Sequence, residues 1–162
     1  MCHPLSACGQ LVIRKHLEWL ADCENGFGPA TALLLYGKGL ISGEQAPKWV
    51  SFGGAKECYK NAAQALLHRD DVFYAEGIAV DLVGPPVPVE HAWLVQDDGV
   101  VVDPTWRDSG SCAYYGIAFK SSVVREKIRR EREWQGVLSD PVLMRSCRKT
   151  PEIFQEMMVQ VA

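Results

Sequence analysis

A change of hydrophobic period in the middle of the chain constrains the fold more than any other feature. Residues 55–68 are strong helix formers without glycine or proline, and they follow Gly53-Gly54, which predicts a helix. Apolar residues then alternate with smaller or polar ones, as expected of strands in a half-buried sheet. The predicted strands are 72–82, 91–96 and 100–103. The other predicted helices are 10–23, 121–134 and 151–162. This order of helices, antiparallel sheet and helices predicts an α+β fold.

The length of 162 residues is that of one domain with an ordinary hydrophobic core. The apolar and charged fractions, 48% and 23%, are typical of globular proteins. Residues 26–54 are rich in glycine and proline and are predicted to form loops with short elements. We therefore expect a single domain, 1–162, with an N-terminal helix and loops (1–50), a catalytic core (51–120) and C-terminal helices (121–162).

Charge and hydropathy argue against nucleic-acid and membrane partners. The net charge is -3, and the densest basic run, 125–132, mixes lysine and arginine with glutamate, which is typical of a solvated helix face. No stretch approaches the roughly 18 to 20 apolar residues that span a bilayer. Residues 1–4 lack the basic and apolar regions of a secretory signal, so a cytoplasmic location is predicted.

The six cysteines are not arranged as a disulfide framework or a zinc site. No Cys-x-x-Cys occurs, and the cysteines are not grouped with histidines at zinc-site spacing. In a reducing compartment all six are expected to be free thiols. Metal and cofactor are both predicted to be absent.

Cys58 is the first candidate for chemistry, because it falls in the first turn of the predicted helix 55–68. A helix N-terminus favours the nucleophilic thiolate through its partial positive charge and free N–H groups. Gly53-Gly54 would allow close backbone approach and leave N–H groups free for an oxyanion. The alternative is that Cys58 is simply a small core residue, since cysteine is among the most buried residue types.

His91 and Asp103 are the second and third candidates, and the intervening turn tests whether they meet. His91 opens a strand after a proline-rich loop, and Asp103 ends the next strand before Pro104. A three-residue loop, 97–99, with Gly99 in the left-handed conformation would place both side chains on one face of the sheet. A two-residue turn would place them on opposite faces. Each residue alone is also compatible with a purely structural role.

Four motifs follow one another along the chain. They are Glu57-Cys58-Tyr59-Lys60-Asn61-Ala62, Tyr74-Ala75-Glu76-Gly77, His91-Ala92-Trp93-Leu94-Val95 and Asp103-Pro104-Thr105-Trp106. Together they resemble the transglutaminase-like branch of papain-fold cysteine enzymes, over roughly residues 50–120. The resemblance implies that Cys58 is the nucleophile, His91 the base and Asp103 the residue that orients the imidazole. The chain departs from familiar members in its short segment before the histidine strand and in lacking a Gly-x-Cys-Trp signature.

Several further residues carry weaker predictions. By the same resemblance, Gln45 is a candidate for the oxyanion hole, although a solvated loop glutamine is the commoner case. Gly54 is a candidate for backbone stabilisation of the oxyanion, and Trp93 either walls a substrate cleft or fills the core. Glu76 shares a strand face with Tyr74 and is expected to be semi-buried and to need a partner.

The chemistry that fits these residues is acyl transfer from a protein or peptide amide through a thioester, without a cofactor. Water as the acceptor gives a protease or a glutamine deamidase, and an amine gives a transglutaminase. A different class of function is a binding or assembly module of the same fold with an inactive triad. A third possibility is that the three residues bind a metal, for which no fourth ligand is evident. The oligomeric state is left open.

Overall fold

A computed structural model of the chain describes residues 4–43 and 45–162. The helices are α1 (Pro4–Cys23), α2 (Pro29–Tyr36), α3 (Cys58–Leu67), α4 (Ser121–Arg130), α5 (Pro141–Lys149) and α6 (Glu152–Met157). The strands are β1 (Lys38–Ser42), β2 (Phe73–Asp81), β3 (Val89–Val95), β4 (Val100–Val102) and β5 (Cys112–Phe119). The α+β class predicted from the sequence is thus confirmed. Residues 1–3, which include Cys2 and belong to the N-terminus predicted to lack a secretory signal, lie outside the described residues.

The five strands form one sheet that closes on itself in the order β1-β4-β3-β2-β5, with β1 also paired to β5. All neighbouring pairs are antiparallel except β1 and β4, which run parallel. The strand β1 joins β5 through residues 38–40 and β4 through residues 41–42. The two halves of β1 therefore join β5 to β4 and close the sheet into a ring of five strands.

The turn between β3 and β4 has the predicted three-residue form. The amide of Gln96 donates to the carbonyl of Val100 at 3.0 Å, which encloses the loop 97–99. Gly99 has a φ of 79°, the left-handed conformation that glycine adopts without a Cβ clash. Leu94 lies opposite Val102 in the register that this loop sets. The prediction that the turn places residues 91 and 103 on one face is confirmed.

The sheet is buried on both faces. One core cluster lies between the sheet and the helices and includes Leu17 of α1, Leu66 of α3 and Tyr74 of β2. The second cluster consists almost entirely of strand residues, among them Trp93 and Tyr114, and fills the inside of the closed sheet. The prediction of a half-buried sheet is therefore wrong, because side chains of both faces are enclosed.

Other elements differ from the predicted pattern. The structure adds β1, β5, α2 and α5, and α4 ends at Arg130 instead of continuing to residue 134. Residues 131–140, called the strap below, cross β2 without helical structure. After α6 the chain is extended, and the amide of Val159 donates to the carbonyl of Ala118 in β5.

Within the described ranges, no helix is both long and apolar enough to cross a membrane. The five cysteines in these ranges, Cys8, Cys23, Cys58, Cys112 and Cys147, are free thiols.

Candidate active site

Cys58 is the first residue of α3, so its thiol lies at the positive end of the helix dipole. The first-turn N–H groups of a helix have no partner within the helix and are available to other acceptors. Two residues earlier, Lys56 has a φ of 65°, a left-handed conformation that costs a non-glycine residue roughly 1–2 kcal/mol. Backbone strain of this kind concentrates at functional sites. The chain thus turns sharply into the helix just before the thiol.

The fold brings Cys58, His91 and Asp103 together. His91 Nε2 lies 2.7 Å from Asp103 Oδ2, and the imidazole lies near enough to the Cys58 thiol for each group to shift the pKa of the other. Because Nε2 faces the carboxylate, Nδ1 is the nitrogen available to the thiol. The exposed fractions are 9% for Cys58, 2% for His91 and 1% for Asp103. The three groups therefore interact in a largely water-excluded setting, where charge interactions are strong.

The pKa of Cys58 is lowered and the pKa of His91 is raised, so each shift favours the charged form of its own residue. Burial raises the pKa of the Cys58 thiol, but the hydrogen bond and positive charge of His91 outweigh it, and the pKa falls below its ordinary value. Burial lowers the pKa of His91, whereas the hydrogen bonds and charges of Asp103 and Cys58 raise it to about 9. These opposite shifts favour a thiolate–imidazolium pair at neutral pH.

Asp103 follows β4 and is surrounded by four hydrogen-bond donors. Its Oδ1 accepts from the amides of Thr105, at 2.7 Å, and Trp106, at 3.0 Å. Its Oδ2 accepts from His91 and from the hydroxyl of Tyr114, at 2.8 Å. A carboxylate has about four lone-pair sites, so this acceptor is fully used. The rotamer of Asp103 is consequently fixed by contacts on both oxygens.

Aromatic rings enclose the imidazole of His91. Trp106 stacks on it with a centroid separation of 4.2 Å and an interplanar angle of 22°. Trp93 lies farther away, at 6.0 Å, and packs edge-on against Tyr114. Trp93 is fully buried in the inner cluster, so it fills the core and does not wall a cleft.

Asn61 connects α3 to the loops on either side of the triad. Its Nδ2 donates to the carbonyl of Gly54 at 2.9 Å and to the hydroxyl of Thr105 at 3.0 Å. The amide of Gly53 also donates to the carbonyl of Pro104 at 3.0 Å. These bonds join the helix that carries Cys58 to the turn that carries Asp103. Asn61 therefore has a positioning role and not a catalytic one.

The weaker candidates are placed differently. Gln45 is exposed in the bend after β1, and no hydrogen bond between described residues joins it to Cys58 or His91. Gly54 is exposed four residues before Cys58, and its carbonyl is occupied by Asn61. Glu76 is fully buried, not semi-buried, and accepts from the amides of Val137 and Leu138. The structure does not bring Gln45 or Glu76 into contact with the triad.

Tyr114 is the site residue that sequence reasoning missed. It lies on β5, which carries no alternating pattern because seven of its eight residues are buried. A tyrosine hydroxyl in a buried strand normally needs a polar partner, and this requirement was the available signal. Burial and the nearby Asp103 raise the pKa of Tyr114 well above its usual value, so the hydroxyl remains a donor.

In the parts of the chain that the structure describes, no group of three or more His, Cys, Asp or Glu side chains is arranged to hold a metal ion. Comparisons of the chain with protein-family models, curated proteins and solved structures found no match.

Proposed function

We propose that the protein is a cysteine-dependent amide hydrolase or acyl transferase of the papain and transglutaminase type that acts on a protein or peptide. Cys58 is the nucleophile, His91 the general base and acid, and Asp103 the residue that orients the imidazole. The observation that carries the proposal is the buried chain of interacting side chains from Cys58 through His91 to Asp103, with the 2.7 Å hydrogen bond between His91 and Asp103 at its end. An idle core cysteine would not need such a chain.

The reaction begins with the Cys58 thiolate attacking the carbonyl carbon of the substrate amide. A carbon–sulfur bond forms, and the carbonyl electrons move to the oxygen. The imidazolium of His91 then gives its proton to the leaving amine as the carbon–nitrogen bond breaks, which leaves a thioester. In the second half, neutral His91 takes a proton from water or an acceptor amine, whose attack on the thioester restores the thiolate.

The oxyanion of the tetrahedral intermediate is assigned to backbone donors at the start of α3. The amide of Cys58 is one of the first helical N–H groups, and the dipole of α3 adds positive potential at this point. Donors of this kind act in a water-excluded site, where they stabilise developing negative charge most effectively. The side chain of Gln45 is not included in this assignment.

Burial of the thiol favours one second candidate, a binding or assembly module whose triad is inactive. Cys58 is only 9% exposed, so little of its surface is open to a substrate carbonyl. In this alternative the Cys58, His91 and Asp103 cluster serves stability. The two candidates differ in the reactivity of Cys58.

The deciding measurement is the pH dependence of Cys58 alkylation by iodoacetamide, followed by mass spectrometry. We expect Cys58 to react faster at pH 6 than the exposed Cys8, because its lowered pKa leaves a larger fraction of Cys58 as the nucleophilic thiolate. The advantage should disappear in His91→Ala. The matched control is His68→Ala, which removes an exposed histidine at the other end of α3.

Labelling of Cys58 that is no faster than that of Cys8, and is unchanged in His91→Ala, would contradict the proposed function and support the binding module. A positive result is followed by screening on peptide amides. There the Cys58→Ala protein should remain folded and lack activity, because only the sulfur is removed from the helix.

A further inference from the structure

A largely apolar cavity of about 240 Å³ lies between the helices and the helix-facing side of the sheet. Its apolar wall comes from α1, α2, β2 and the strap, through Leu17, Leu20, Leu33, Ile78 and Leu138. Protein interiors are otherwise close-packed, and a space of this size needs an explanation. An apolar cavity of roughly 150 Å³ is sufficient to bind benzene, so this one has room for a phenyl ring with a short chain.

The cavity lies on the opposite side of the sheet from the catalytic histidine. Ile78 and Glu90, which both line it, are paired across β2 and β3, and Ile78 belongs to the core cluster between the sheet and the helices. His91 is the next residue on β3, so its side chain points to the other face, toward the inside of the ring. None of Cys58, His91 and Asp103 lines the cavity. A ligand held there is therefore not a substrate of the triad.

The wall formed by the strap is held in place by β2. Glu76 accepts from the amides of Val137, at 2.5 Å, and Leu138, at 2.9 Å. Gly136 has a φ of 99°, and a Cβ there would lie 2.6 Å from Glu76 Oε1 and 2.8 Å from Tyr59 Cε1. The strap is thus fixed between β2 and Tyr59, and the cavity that Leu138 lines is preformed. Preformed, mostly apolar cavities with a few polar groups are typical of small-molecule sites.

The charged groups at the cavity are all negative. Two carboxylates line it, that of Glu24 and that of the exposed Glu90. Glu24 accepts from the amide of Ala30 at 2.7 Å and from the amide and the hydroxyl of Thr31 at 2.9 and 2.7 Å. These donors carry no formal charge, so they fix the carboxylate without supplying a counter-ion. No described residue that lines the cavity is a lysine, an arginine or a histidine.

Tyr59 of α3 lies in the cavity wall beside these charges. Its side chain is half-buried. Burial and the negative charges of Glu76 and Glu90 raise the pKa of Tyr59, so the phenol stays neutral. Lys56 and Lys60 lie outside the cavity, in the adjoining surface groove. The face of an aromatic ring attracts cations, most strongly where water is excluded, so Tyr59 adds to the preference of this site for a positive charge.

We propose that this cavity is a binding site, separate from the triad, for a small amine with an apolar body, of about the size of 2-phenylethylamine, bound as its ammonium ion. The apolar body is buried among Leu33, Ile78 and Leu138, and the ammonium group is stabilised by the carboxylates of Glu24 and Glu90. An anion of the same size is disfavoured, because both carboxylates repel it. The assignment does not depend on the proposed function.

The test uses Cys23, an exposed thiol on α1 that lines the cavity, and compares it with Cys8, which is exposed on the same helix and does not line it. Alkylation of both by iodoacetamide at pH 7 is followed by mass spectrometry, with and without 2-phenylethylammonium chloride. We expect about 10 mM of this salt to slow labelling of Cys23 about threefold or more, which corresponds to a Kd of about 5 mM or lower. Labelling of Cys8 should not change. The neutral 2-phenylethanol should protect Cys23 less, and the anion 3-phenylpropanoate should not protect it.

Two variants locate the bound amine. Glu90→Gln removes one charge and keeps the side-chain shape, so it should reduce the advantage of the ammonium ion over the alcohol. The control Glu133→Gln, at an exposed strap residue that does not line the cavity, should keep that advantage. Ser139→Trp places an indole at the cavity wall and should abolish protection of Cys23. Its control is Ser146→Trp, because both serines are exposed and each donates to the carbonyl four residues earlier, but Ser146 does not line the cavity.

Protection of Cys23 in the order ammonium, alcohol, carboxylate, weakened by Glu90→Gln and lost in Ser139→Trp but not in the two controls, supports the assignment. Absence of protection, equal protection by all three compounds, or protection that survives Ser139→Trp would overturn it. Protection of Cys58 in place of Cys23 would put the amine at the triad and would overturn it as well. The reactivity of Cys58 in the absence of amine decides the proposed function, so either proposal can fail while the other stands.

Discussion

The two carboxylate oxygens of Asp103 have different partners and different roles. Oδ1 accepts from the amides of Thr105 and Trp106 and so fixes the turn, while Oδ2 accepts from His91 and Tyr114. A carboxylate can serve all these donors because it is an acceptor only. An amide cannot, since one of its two ends is a donor.

Asp103→Asn therefore tests whether charge, and not shape alone, raises the pKa of His91. We expect the variant to lose the thiolate–imidazolium pair, because the hydrogen bond and the negative charge of Asp103 both raise that pKa. Alkylation of Cys58 at pH 6 should fall by about tenfold or more. Mass-spectrometric labelling across pH 5–9 measures it. An unchanged pH profile would mean that Asp103 does not stabilise the imidazolium.

Tyr114→Phe should lower the free energy of unfolding by about 1–3 kcal/mol, because a buried carboxylate loses one donor. Urea unfolding at pH 7 measures the change. The control is Tyr115→Phe, which alters a half-buried side chain on the opposite face of β5 and should cost less than about 0.5 kcal/mol. Equal effects of the two substitutions would contradict a specific contribution of the Tyr114 hydroxyl.

The triad could be predicted from the sequence because each member has a local signal. Cys58 begins a segment of helix formers, and the loop ending in Gly99 fixes the register that brings residues 91 and 103 together. Tyr114 has no such signal, since its role depends on β5 closing against the other strands. The exposed position of Gln45 also depends on the path of the 45–57 segment, which no periodic pattern predicts.

At the scale of elements, the strap is attached to β2 at two points: Trp134 Nε1 donates to the Tyr74 hydroxyl at 3.2 Å, and the buried carboxylate of Glu76 accepts from two strap amides. Burial raises the pKa of Glu76 to about 7, although the amides of Leu138 and Val137, the Tyr74 hydroxyl and the charge of Lys127 all act in the opposite direction. In the unfolded chain this carboxyl returns to its ordinary pKa. Between these two values the folded protein binds one proton more than the unfolded chain.

Because the folded state binds this proton more tightly, the contribution of Glu76 to stability is complete below pH 4 and is lost as the pH rises through about 7. Relative to Glu76→Gln, the wild type should lose about 3 kcal/mol of unfolding free energy between pH 4 and pH 8. Urea unfolding of both proteins at these two pH values measures the difference. The control Glu133→Gln, at an exposed strap residue, should show no such pH dependence.

Helices and strands with a clear hydrophobic period could be predicted from the sequence. Elements that are buried on all faces, or are too short to show a period, could not. The helix α3 and strands β2–β4 follow from their hydrophobic patterns and from the turn at Gly99. The strand β5 has no polar alternation because helices cover one face and the ring interior the other. The strand β1 has only five residues, including Gly39, and α2 is nearly all apolar, so neither shows a period.

At the scale of the whole molecule, closure of the sheet depends on β1. Residues 38–40 pair only with β5 and residues 41–42 only with β4, whereas β2 pairs with β3 and β5 along almost its whole length. The ring is therefore weakest where β1 enters it.

Backbone amides of β1 should exchange with deuterium at least about tenfold faster than those of β2, because strands with fewer paired groups open at lower free energy. Peptides covering residues 38–42 and 73–81 report the two rates by mass spectrometry. Equal protection of both strands would show that the ring opens only with global unfolding.

The position of β1 also determines when the ring can close during synthesis. Its partners lie in residues 100–116, so β1 leaves the ribosome well before either neighbouring strand exists. At translation rates of about 5–20 residues per second, this strand waits roughly 3–15 seconds with both edges open. Open strand edges invite pairing with other chains, and lysine on an edge opposes it. Lys38, at the start of β1, is a residue of the kind that opposes such pairing in the interval before β4 and β5 are synthesised.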